Sequence, residues 1–190
     1  MEGQNIKIAG SGTVTEGKYN VISIAGSGVG NGQIECKTLK TAGSAKFHGN
    51  VIAEDVDLAG STKFQQNLKG VKIDASGSLK GCGNLEAENI KTAGVVSVEG
   101  EMNVGILLHK GEGSSFNNIY GDCITLEGRK RKHITVNEIE ATNINLYCVK
   151  AIRISGDNVK VTGNSVVDII EFKQSLKISK NVTIKEIIKL

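Results

Sequence analysis

The chain has 190 residues, of which 39% are hydrophobic and 23% charged, a balance that excludes a disordered segment and suits a soluble folded chain. The net charge is only +3 and the aromatics are four Phe and three Tyr, which argues against a nucleic-acid binder built on a basic face with stacking rings. Length alone admits one domain or two.

Proline is absent, where average usage predicts about nine or ten. Proline has no N–H to give a ladder and is expelled from central strands, so a chain without it is free to put nearly all its backbone donors into sheet. The 24 glycines point the same way, because tight corners need them. At the start, Met1 to Lys18 lacks the basic segment and apolar run of a signal peptide, and no stretch approaches the ~18 apolar residues of a transmembrane helix.

The predicted elements then follow one short phrase along the chain: "VISIAGSGV" (21–29), "LKTAGSAKF" (39–47), "VDLAGSTKF" (56–64). Its glycine recurs at Gly10, Gly26, Gly43, Gly60, Gly77, Gly94, Gly111 and Gly128, one step of 16 and then six of 17. Four residues before each glycine stands Ile6, Ile22, Leu39, Val56, Ile73, Ile90, Leu107 or Ile124. The register then jumps 20 residues to "EIEATNINLYC" (138–148), where Ile139, Ala141 and Ile144 refill the apolar slots. Val159, Val161, Leu176 and Ile178 continue the series. Within each unit apolar and polar residues alternate, as in "NIKTAG", which is the strand signal. A period of 17 is too short for two helices and a turn.

The fold expected is all-β: a parallel β-helix, or β-solenoid, of about eleven coils of ~17 residues with three short strands per coil. One β-helix domain is assigned to residues 1–190, with a basic corner insertion at about 128–134. Equivalent residues stack, so Ile73 is expected between Val56 and Ile90. At ~4.8 Å per coil the rod is roughly 50 Å long.

The phrase "VDLAGSTKFQQNLKG", its relatives through residues 5–185 and the lack of proline resemble the bactofilins, polymer-forming bacterial cytoskeletal proteins. The resemblance implies right-handed winding, a hydrophobic interior and self-assembly without nucleotide. Four features depart from the family's pattern: no proline-rich tail and no apolar N-terminal anchor are seen in the sequence, there are more coils than a minimal bactofilin domain would need, and there is a basic insertion.

A solenoid has two ends, each an apolar cross-section with unpaired backbone groups that can template another chain. The expected self-assembly residues are Ile6 and Ile8 at one end and Leu176, Ile178, Val182 and Ile184 at the other. The segment "VTIKEIIKL" (182–190) reads equally as a last strand or a short amphipathic cap. Three function classes follow: a structural polymer, a monomeric binding scaffold, and a carbohydrate-active β-helix enzyme. The third is disfavoured by the lack of an evident groove of acids and Arg, and the expectation is a protein that is not an enzyme and needs no cofactor.

"RKRK" (Arg129, Lys130, Arg131, Lys132) reads as a solvated corner or as the contact for an anionic protein or membrane surface. His109 falls in the slot that Ile8, Ile24, Leu58 and Leu126 fill, so it is expected buried, neutral and bonded to Thr92. His48, at a corner, is expected exposed. Cys36, Cys82, Cys123 and Cys148 have no metal-ligand spacing and read as free thiols in a reducing cytoplasm. Gly-rich "GSGVGNG" (26–32) lacks the Lys-Ser/Thr of a phosphate loop.

Overall fold

Each coil is a triangle of extended backbone, as residues 51–64 show. Val51 and Ala53, Val56 and Leu58, and Thr62 and Phe64 point inward in three pairs, while Ile52, Asp57 and Lys63 between them face outward. The computed structural model describes residues 3–190. Its strands are β1 (Gln4–Ile8), β2 (Ser11–Val14), β3 (Gly17–Ile24), β4 (Ser27–Gly30), β5 (Ile34–Phe47), β6 (Val51–Phe64), β7 (Leu68–Gly81), β8 (Leu85–Lys110), β9 (Ser115–Glu127), β10 (Ile134–Tyr147), β11 (Val149–Thr162), β12 (Val166–Ile178) and β13 (Thr183–Lys189). All lie in one parallel sheet wound into about eleven turns, and the described residues include no helix. From β5 onward the ladder of hydrogen bonds carries on around the corners, so a strand such as β6 contains all three sides of its coil.

The repeat produces this because it places like on like. Val56 pairs with Ile73 and Ile73 with Ile90, as the spacing requires. Their row, from Ile22 to Val159, is at most 2% exposed. Full burial of each such side chain contributes roughly 1.5–3 kcal/mol. A second row alternates size: Gly30, Phe47, Phe64 and Gly81 are successive partners. The two rings stack at 5.0 Å and 10°, and Gly30 leaves room for Phe47, whose ring a Cβ there would strike.

Glycine at the repeated corner is obligatory. Gly60, Gly77 and Gly94 have φ of 118°, 118° and 117°, and a Cβ on any of them would strike the carbonyl of the glycine one coil below. A different corner is closed by an asparagine ladder. Asn50 Oδ1 accepts from the Asn67 N–H at 3.1 Å, Asn67 Oδ1 from Asn84 N–H at 2.9 Å, and Asn84 Oδ1 from Glu101 N–H at 3.0 Å.

The coils are not uniform. Ile124 pairs with Ile144, a step of 20 residues, and Ile144 with Val159, a step of 15. Two of the buried polar side chains in this stretch mend the ladder there. Ser114 Oγ accepts from the Val96 N–H and Ser165 Oγ from the Val149 N–H, both at 3.0 Å.

Candidate functional site

The final segment is a strand, which decides between the two readings of "VTIKEIIKL". β13 pairs in parallel with β12, Ile184 on Val167 and Ile187 on Ile170. Among the described residues no strand covers the far edge of β13. The interior rows therefore surface at this end. Val161 is 0% exposed, and Ile178, its partner one rung out, is 41% exposed. Ile170 is 0% exposed and Ile187 is 49%. Leu176, Val182 and Ile184 are half-buried, so the four residues expected at this end do share its last rung. The sequence reading missed Ile187 and Leu190, which complete the apolar rim on the third side. The spacing of 17 from Ile170 to Ile187 was the available signal.

At the opposite end Ile6 and Ile8 form the first rung beneath Ile22 and Ile24. Ile6 is half-buried and Ile8 is 9% exposed, against 0% and 1% for their covered partners. Gln4, Asn5 and Lys7, which share the strand with them, are exposed.

The basic corner is a tight hairpin on the coil edge. Ten positions separate Leu126 from Val136, where six separate Leu58 from Phe64 at the same corner. The extra four carry the basic run. The 20-residue jump of the apolar register, three more than the usual 17, is this lengthening less one residue lost at the following corner, where Val136 is three positions from Ile139 but Phe64 is four from Leu68. Lys130 and Arg131 form the turn, and Lys132 N–H donates to Arg129 O at 3.1 Å. All four cations are exposed and sit together. Beside them a recess of about 530 Å³ is lined by Val95, Gly111, Glu112, Glu127, Arg129 and Tyr147, among others.

His109 is sealed in the core at 0% exposure, with Nδ1 joined to Thr92 Oγ1 at 2.7 Å and its ring edge-on to Phe116. Nε2 has no partner. Burial pushes its pKa down to about 4, so the ring is neutral at pH 7, as expected from its slot. No atom of it reaches a surface where a substrate would sit. His48 is half-buried rather than exposed, at the corner where its N–H donates to Gly30 O at 2.9 Å. The four cysteines are free; Cys36 and Cys148 are buried, and burial pushes the Cys36 thiol up to about 11.

Among the described residues nine acids of the wall pair with neighbouring cations. Asp74, hydrogen-bonded to Lys72 at 2.8 Å, holds that ammonium above its ordinary pKa, with Asp55 and Asp57 adding to the effect. Arg153 bridges Glu171 at 2.7 Å and Glu138 at 2.6 Å, tying three successive coils together. Among the described residues no group of three or more His, Cys, Asp or Glu is placed to hold a metal ion, and no helix is long and apolar enough to cross a membrane.

No family model, curated protein or solved structure matches the chain. The fold itself is compatible with a scaffold or a filament-forming protein.

Proposed function

We propose that the protein is a structural, cytoskeleton-like subunit that assembles end to end, without nucleotide, through the terminal rungs of its β-helix. The observation that carries this reading is the passage of the interior rows from 0% exposure at Val161 and Ile170 to 41% and 49% at Ile178 and Ile187 one rung further out. A parallel strand edge with an apolar rim is a template for another rung, and a second copy supplies one at its Ile6–Ile8 strand. The resemblance of the repeated phrase to bactofilins supports the same reading. A monomeric scaffold is the second reading, favoured by the exposed cationic hairpin.

Ile178→Lys with Ile187→Lys tests the proposal. Both side chains already face solvent, so the melting temperature should stay within a few degrees of the parent. Assembly measured by sedimentation should be lost, because stacking would bury two unpaired ammonium groups. Undiminished assembly by this folded variant would remove the terminal rung from the interface.

A further inference from the structure

The hairpin at Arg129–Lys132 adds nothing to the core. Its four side chains are exposed, and among the described residues none forms an ion pair, although eight other cations of the surface do. Crowding four like charges onto one turn carries a repulsive cost. The base beneath them is nevertheless built firmly. Gly128 N–H donates to Tyr147 O at 2.7 Å, His133 Nε2–H to Asn164 O at 2.8 Å, and Ile134 N–H to Cys148 O at 3.3 Å. Cys148, at φ 55°, is the one non-glycine residue in the left-handed region among the described residues, and a Cβ on Gly128 would strike its carbonyl.

We propose that this corner docks on the anionic headgroup surface of a lipid bilayer. The cationic turn meets the headgroups, and Tyr147 and Val95 lie beside it at the interface. Shape and charge select this partner over other anions. The four cations are exposed together on one two-residue turn, which suits a flat, densely charged surface and offers no extended track for a strand. The adjoining recess is lined by two acids, Glu112 and Glu127, and two cations, Lys110 and Arg129, with Glu127 paired to Lys110 at 2.9 Å, so it offers an acidic peptide no net attraction. Tyr147 is its one aromatic, too few to make a stacking platform for a nucleic acid. Val95 is 46% exposed and Tyr147 40%, and a tyrosine with an apolar body and a polar tip is suited to a headgroup layer.

The test is co-sedimentation of the full chain with phosphatidylcholine vesicles, with and without phosphatidylserine. The parent should bind the anionic vesicles and leave the neutral ones. Binding should weaken as salt rises from about 0.1 M to about 1 M, which shortens screening from roughly 10 Å to 3 Å. Replacing Arg129, Lys130, Arg131 and Lys132 by Ser should lower partitioning about five-fold per cation and several hundred-fold in all. A control replacing Lys37, Lys40, Lys46 and Lys91 by Ser removes the same charge from exposed, unpaired sites elsewhere, and it should stay within about ten-fold of the parent. Equal binding by parent and hairpin variant, equal binding to neutral vesicles, equal losses in the two variants, or tighter binding of the parent to polyglutamate or duplex DNA would each overturn the proposal. The lipid and salt arms use the unaltered chain, so binding to neutral vesicles or indifference to salt overturns the proposal even if the hairpin variant folds poorly.

Discussion

Acid should weaken this protein through one residue. His109 is fully buried, its single hydrogen bond is to Thr92, and burial depresses its pKa from 6.5 to about 4. In the unfolded chain the same imidazole titrates near its ordinary value. Between those two values the unfolded state binds a proton that the folded state refuses, so stability falls as pH falls from 6.5 and the loss levels off below about 4. Linkage gives a loss of about 2 kcal/mol at pH 5 and about 3 kcal/mol in full. The double variant His109→Leu, Thr92→Val should abolish this term. Leucine is the natural occupant one rung away, where His109 pairs with Leu126, and valine leaves no stranded hydroxyl at Thr92. The assay is urea unfolding of parent and variant at pH 7 and pH 5. The parent should lose about 2 kcal/mol more than the variant over that interval, because the two proteins differ in titratable groups only at position 109. Equal losses would mean that the ring at position 109 is open to water or paired with a charge, and the inward register at that coil would be wrong.

Two further perturbations test the fold from other sides. Leu58→Asp places a carboxylate at a site 3% exposed, between Thr41 and Ala75 in adjoining coils, and should cost several kcal/mol; a melting temperature within a degree or two of the parent would refute the inward assignment. Asn67→Ala removes the acceptor for the Asn84 N–H at 2.9 Å and should cost about 1 kcal/mol, with faster amide exchange at Asn84; unchanged exchange would show that the corner ladder does not hold the coils together.

The interior was legible in the sequence because two periods coincide there. Strand alternation decides which residues point inward, and the 17-residue step decides what each one stacks on; together they placed Ile73 between Val56 and Ile90 and His109 against Thr92. Features that interrupt a period were harder to read. The spacing of the apolar slots records only the sum of changes in a coil, so the 20-residue jump hid a four-residue lengthening behind a one-residue shortening at the next corner. The asparagine ladder also recurs every 17 residues, but Asn is common in turns for local reasons, and only the stacking geometry shows each amide oxygen accepting from the next coil. The end segment was ambiguous because the nine residues of 182–190 are too few to separate a helical from a strand period. The open edge of β12 resolves it, by offering β13 a parallel partner.

The central claim is that the terminal rungs build a filament. Electron microscopy of the pure, nucleotide-free protein tests it most directly. The account predicts unbranched filaments in which one subunit of about eleven coils repeats every ~50 Å, with the ~4.8 Å coil spacing running along the filament axis. Isolated rods at every concentration, or filaments that form only with ATP or GTP, would contradict it.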